Sequence, residues 1–306
     1  MDSVSHLIRL ARLEARLDKH CLLPQGTRMD VAAHGEREAP FHVLLEGSCR
    51  LRMGPHLLEL APGDVVVIPS GSPHQVTTAG PEPLQGVVET DGSAFTTTRG
   101  ERGEAVIDLF CGRYTFGPGA GAMLFRSLPD PVHVSFGQSP ESDEVLRTLG
   151  VLMRGEAQHE GDGTAAILSA LCTVLLAMVL RTAQGPATTA NLWTAAGDRR
   201  IAEVIEQVIE NPGAEWSIER LSRASAMSRA TFLRRFGRGT GMTVGAFLAQ
   251  VRLMTAAELL LTTDLTVAGV AGRVGYQSES AFSRSFRLAT GETPARFRRA
   301  GHTASS

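Results

Sequence analysis

Lysine is almost missing from this sequence: Lys19 is the only one, and arginine supplies the rest of the 30 basic side chains. Cysteine is scarce as well. Four in 306 residues do not make a disulfide framework, and their spacings fit no zinc knuckle. The expected compartment is the reducing cytoplasm, where a cysteine pair acts as a sensor rather than a staple. The chain also lacks a membrane-length apolar run. Its longest, AAILSALCTVLLAMVL at 165–180, is closed by Arg181 and falls short of the roughly 20 residues that cross a bilayer. We read it as a buried or interface helix. The opening MDSVSHLIRLARLEARLDKHC scatters charges through its apolar positions and does not read as a signal peptide. No repeat of solenoid type is present.

What is there is the make-up of a folded soluble chain, 43% hydrophobic and 20% charged, long enough for two domains. The net charge of −2 hides an asymmetry. From Arg199 to Arg299 there are fifteen arginines against nine acidic residues, while the preceding part is net acidic. A basic final third on an acidic front end points to a polyanionic partner.

Periodicity divides the chain. Residues 1–19 read as a short amphipathic helix. From 25 to about 116, short alternating segments such as FHVLLEG, CRLRM, DVVVIPSG and AVIDLFCG are broken by Gly and Pro, the pattern of a sandwich or small barrel. SDEVLRTLGVLMRGEA and the run 164–183 read as an antiparallel helix pair, and are the expected dimer interface. The polar stretch around TAQGPATTAN is the linker candidate, 184–198. From 199 onward everything is helical, in about seven helices.

Two helix pairs carry the C-terminal argument. In WSIERLSRASAMSRATFLRRFGRGTG, Ser217 caps a helix running to about Ala224, Ala226–Met227 turns the chain, and Ser228 caps a second helix. In LTVAGVAGRVGYQSESAFSRSFRLATG, Thr266, Gly275 and Ser278 repeat the plan. Each is a helix-turn-helix whose second helix suits a major groove about 12 Å wide. TVGAFLAQVRLMTAAELLLTT between them has the length of one stiff helix, which would set the two readers in successive major grooves about 34 Å apart. Phe232, Phe236, Phe282 and Phe286 recur at i, i+4 spacing and are expected in the core. GYQSESAFSRSFRLATGETPARFRR resembles the signature of the AraC/XylS family of transcription regulators, and the resemblance covers residues 199–300, within a DNA-binding domain expected over 199–301. It implies a bipartite domain bound to double-stranded promoter DNA, with RNA polymerase as a partner. By motif position the base-facing residues would be Arg229, Ala230, Leu233 and Arg234, then Glu279, Ser280, Ser283 and Arg284. Arg234 and Arg284 can grip guanine bidentately, whereas Ala230 and Leu233 offer only apolar contact to a thymine methyl. Ala226 stands where the family usually carries Gly; Ala tolerates the bend less well but does not forbid it.

GDVVVIPSGSPH fits the second cupin motif through Gly63, Pro69, Gly71 and His74. The first motif, which supplies two His and a Glu, is eroded to His34, His42 and Glu46, so a metal-dependent oxygenase is disfavoured and no enzyme is expected. The front end resembles the cupin-type sensor domain of one AraC subgroup, the reactive-chlorine-responsive activators. The implied fold is α+β: a cupin-like β-barrel (about 25–120) with a helical pair (about 140–183) as a sensor/dimerisation domain over 1–183, then the all-α domain with two helix-turn-helix motifs. In that subgroup cysteines at the positions of Cys21 and Cys111 are implicated in oxidant sensing. Cys21 follows DKH, where Lys19 and His20 are placed to favour its thiolate, and Cys111 would resolve the oxidised sulfur to a disulfide. Cys49 is expected on a strand in the core and Cys172 in helix packing. Two alternatives stay open at this point. Cys21, His42, His74 and Cys111 are also the ligand set of a tetrahedral zinc site, or the barrel binds a small effector and the thiols are filler.

Overall fold

The structure, a computed structural model, describes residues 5, 8–9, 11–117, 121, 124–125, 128–136, 140–182 and 198–303. The linker expected at 184–198 lies outside the described residues except for Asp198. The chain divides into two compact units: Glu14–Thr115 with Pro129–Val179, and Leu180–Ser306 with Met1–Leu13 and Phe116–Leu128.

The first unit holds eleven strands in two sheets among the described residues. The larger sheet has the order β11 (Val132–Ser135), β6 (Asp64–Val67), β3 (Glu38–Glu46), β10 (Ala105–Thr115), β1 (Glu14–Pro24), β9 (Thr96–Gly100), β8 (Val87–Asp91). The smaller runs β2 (Arg28–Val31), β7 (His74–Thr77), β4 (Cys49–Met53), β5 (His56–Leu60). One core joins them, with Leu23, Leu44, Val66 and Leu109 from the larger sheet meeting Met29, Leu51, Leu60 and Val76 from the smaller. The outer side of the larger sheet meets two helices, α1 (Pro140–Gln158) and α2 (Thr164–Thr182). The Tyr114 hydroxyl donates to the Cys172 carbonyl at 3.0 Å, and the Leu45 side chain lies against Gly150 closely enough that a Cβ there would meet it at 3.0 Å.

The helix expected over 1–19 is corrected from Glu14 on. Residues 14–24 are strand β1, pairing with β10 on one side and β9 on the other. EARLDKHCLLP mixes charged and apolar residues in a way that suits either element. Placement between two partner strands decides, because β-structure is set by cross-strand neighbours more than by local preference. The strand region therefore begins about ten residues before the expected 25.

Residues 198–303 of the second unit contain seven helices: α3 (Arg199–Glu210), α4 (Ile218–Ala224), α5 (Arg229–Thr240), α6 (Val244–Thr262), α7 (Val267–Arg273), α8 (Glu279–Thr290) and α9 (Pro294–Thr303). Ser217, Ser228, Thr266 and Ser278 cap their helices as expected, each accepting from a backbone N–H three residues on. Gly241 and Gly291 end α5 and α8 in the left-handed conformation. The four phenylalanines are all at most 1% exposed. Phe236 meets Phe247 of α6 at 5.5 Å, and Phe286 meets Phe297 of α9 at 5.2 Å, both edge-on. Against the expectation of no membrane-length apolar run, α2 and α6 are long and apolar enough by length and composition to cross a membrane, but each buries a stripe inside its unit, Leu168, Cys172 and Leu175 in one and Phe247, Val251 and Met254 in the other.

Candidate functional site

Three strands build the first site. β10 places Cys111 opposite Lys19 of β1 and His42 of β3. Cys21 pairs with Leu109, two residues along, which makes it the diagonal neighbour of Cys111 on the same face. Their sulfurs stand 3.6 Å apart. The close approach of β1 needs Gly112: a Cβ there would lie 2.3 Å from the Arg16 carbonyl oxygen, beside the irregular register between Leu17 and Lys19.

From Cys111 a chain of contacts runs across the interior. Its Sγ lies 3.1 Å from His42 Nδ1. His42 Nε2 faces His74 Nε2 at 2.6 Å, and His74 Nδ1 faces the Ser72 carbonyl at 2.9 Å. Burial, reinforced by each other's company, holds His42 well below the usual imidazole range, and burial also lowers His74. Both rings are therefore neutral, with one N–H each. The carbonyl can only accept, so His74 carries its hydrogen on Nδ1 and leaves Nε2 bare. His42 must then donate from Nε2, and its Nδ1 lone pair faces Cys111. Burial, followed by the neighbouring Cys21, pushes the Cys111 thiol up, against the pull of Lys19. The result is a neutral S–H donating to a neutral imidazole rather than a thiolate–imidazolium pair.

The alternation of β1 also separates Lys19 from His20. Lys19 shares the face of the two sulfurs. His20 turns to the outer side, where it stacks on Phe110 at 4.4 Å and meets Asp108 at 2.9 Å. The expectation that His20 acts on Cys21 is corrected: adjacent residues of a strand point to opposite faces. Asp108 is in turn paired with Arg154 of α1 at 2.7 Å. Met29, whose Sδ lies 3.7 Å from Cys21, was not expected at the site; it comes from the other sheet, and nothing local marks it. Cys49 and Cys172 are packed in the interior as expected, and burial pushes each thiol up to about 12.

The four residues proposed for zinc are thus brought together, but in file. His42 gives one nitrogen to Cys111 and the other to His74, so the donors share no centre. Among the described residues no group of three or more His, Cys, Asp or Glu side chains is arranged to hold a metal ion. Beside this chain lies a cavity of about 670 Å³, with Lys19, Met29, His42, Phe95, Cys111 and Arg113 in its wall.

The second site lies on α5 and α8. Arg229, Ala230, Leu233 and Arg234 are exposed, as are Glu279, Ser280 and Arg284, with Ser283 half-buried. Arg229 is paired with Glu219 of α4 at 3.0 Å. The arginines are not all of one kind. Arg252 of α6 donates to the carbonyls of Pro212 and Ala214, and Arg298 of α9 to those of Leu260 and Leu265. These two fasten loops to helices. Both turns use a left-handed residue, Ala226 at φ 51° and Gly275 at φ 85°.

A cupin family model matches residues 2–184, and a helix-turn-helix domain model matches residues 221–300. The chain belongs to the AraC-type transcriptional regulators with a cupin N-terminal domain. Its relatives include an uncharacterised HTH-type transcriptional regulator of Haemophilus influenzae, 29% identical over 98% of this chain and 99% of that one. The HTH-type regulator MtrA of Neisseria gonorrhoeae is 29% identical with the same coverage. The RCS-specific HTH-type transcriptional activator RclR of Escherichia coli is 27% identical over 97% of both chains. As an AraC-type regulator the chain binds DNA, and its helix-turn-helix domain spans residues 221–300.

Proposed function

We propose that this AraC-type regulator is an activator switched by a two-electron oxidant, reactive chlorine being the first candidate, through a disulfide between Cys21 and Cys111. The supporting observation is the 3.6 Å between the two sulfurs, beside an imidazole lone pair aimed at one of them. The name of RclR, an RCS-specific activator aligned over 97% of this chain, supports the same reading. A disulfide would bring the sulfurs to about 2.05 Å. Promoter DNA is the partner of α5 and α8, with Arg234 and Arg284 as the guanine readers and the other six residues as flanking contacts. A second copy packs on α1 and α2, where Val151 and Leu152 are exposed, and RNA polymerase is the downstream partner. The domain bounds are 1–183 and 199–301, the chain works in the cytoplasm, and it performs no catalysis of its own.

The test is promoter output in cells carrying Cys21→Ser or Cys111→Ser, with and without hypochlorite. Loss of induction in both variants is the expected result. The cavity of about 670 Å³ favours a second reading, a small effector bound in the cupin domain, since ligand sites commonly measure 300–1,000 Å³. Full induction in both variants leaves that reading alone standing.

A further inference from the structure

The two sulfurs of the pair are not equivalent. Cys111 and its partner His42 stand in the wall of the cavity. Cys21 does not line it and is 0% exposed. It is covered by Met29 at 3.7 Å on one side and by Cys111 itself on the other. A small molecule entering the cavity therefore meets Cys111 directly and reaches Cys21 only past Cys111 or Met29, which also stands in the wall. His42, through the hydrogen-bond order imposed by the Ser72 carbonyl, turns an accepting nitrogen to the same sulfur. No nitrogen within hydrogen-bond distance of Cys21 is among the described contacts.

We propose that Cys111 is the sulfur that takes the oxidant, that the cavity beside it is the oxidant's binding site, and that Cys21 is the resolving thiol. The inference rests on the disulfide reading above and deepens it by assigning the order of events, the reverse of what the DKH sequence before Cys21 suggests. The substrate class is a small two-electron oxidant that delivers chlorine or oxygen to sulfur. With hypochlorous acid, the S–H bond of Cys111 and the O–Cl bond break, an S–Cl bond forms, and the thiol proton leaves with the hydroxide as water. Cys21 then attacks: the S–S bond forms, the S–Cl bond breaks, and chloride departs with the Cys21 proton. Two thiols lose two electrons, and one chlorine is reduced to chloride. His42 is a positioning residue in this scheme, holding the Cys111 proton on the Sγ–Nδ1 line.

The experiment uses the full-length protein. Cys21→Ser and Cys111→Ser are treated with a sub-stoichiometric pulse of hypochlorite in the presence of dimedone, which traps the sulfenic acid formed by hydrolysis of S–Cl, and labelled peptides are read by mass spectrometry. Label at Cys111 in Cys21→Ser, with Cys21 in Cys111→Ser labelled less, is the result expected from the access of Cys111 to the cavity. In the unsubstituted protein, brief alkylation with iodoacetamide should modify Cys111 before Cys21, which keeps the test independent of any variant's folding. Equal or preferential label at Cys21, with the Cys21–Cys111 disulfide still forming in the unsubstituted protein, overturns the assigned order while leaving the thiol switch intact. Absence of that disulfide and of label in both variants overturns the switch itself, and the assignment with it.

Discussion

His42 and His74 meet Nε2 to Nε2 at 2.6 Å, although 32 residues separate them in the chain. At that distance one nitrogen must donate and the other accept, so His74 cannot take a proton on Nε2 without losing the contact, and a second proton on His42 would go to the Nδ1 that accepts from Cys111. Burial holds both below the ordinary value of 6.5.

A pH dependence follows. Below 6.5 the unfolded chain binds protons at these histidines and the folded chain does not. The stability they contribute is whole above 6.5 and is lost as pH falls from there toward the folded values. Within that window each histidine is expected to cost up to about 1.4 kcal/mol per pH unit. Urea melts at pH 7.5 and 5.5, followed by the fluorescence or circular dichroism of the strand-rich unit, give the measurement. An unchanged midpoint would count against the neutral pair.

Zinc content discriminates between the readings of the same four residues. With His42 shared between Cys111 and His74, protein purified under reducing conditions is expected to carry less than about one zinc per ten chains, against the one per chain of a closed structural site. Elemental analysis after dialysis without chelator decides it. A stoichiometric zinc released by hypochlorite would replace the hydrogen-bonded chain with a metal-held switch.

The reading helices predict two kinds of substitution. Arg234→Ala and Arg284→Ala, each removing an exposed guanidinium from α5 or α8, should weaken operator binding by about 1–3 kcal/mol and relax base preference at one position each. Arg252→Ala should instead lower the thermal stability of the helical unit, because it strips donors from the Pro212 and Ala214 carbonyls. Binding isotherms at fixed salt, beside melting curves, separate the two effects. Equal destabilisation by all three substitutions would sink the assignment.

The two turns make a matched pair. Ala226 holds φ 51° where Gly275 holds φ 85°. Ala226→Gly relieves left-handed strain of about 1 kcal/mol and gives back part of it as unfolded-chain entropy, for a net gain of about 0.5 kcal/mol. Gly275→Ala is expected to cost about 1–2 kcal/mol, since its Cβ would also approach Arg252 Nη2 to 2.9 Å. Chemical denaturation of both variants checks the opposite signs.

The helical unit could be read from sequence because its determinants are local. A cap and the N–H it accepts from are three residues apart, as with Ser228 and Thr231. The phenylalanines that face the core recur four apart. Strand β1 shows the opposite case: EARLDKHCLLP does not declare its own conformation, and only its pairing with β9 and β10 does. By itself the sequence determined the family and the two helix-turn-helix pairs, and it singled out Cys21, His42, His74 and Cys111 in the cupin unit. Tertiary structure decided how those four are arranged. Cys21 and Cys111 are 90 residues apart in the chain, and His42 and Cys111 are 69. Cross-strand register alone sets which faces they share, and a shift of one residue would turn Cys21 to the outer side and His20 inward.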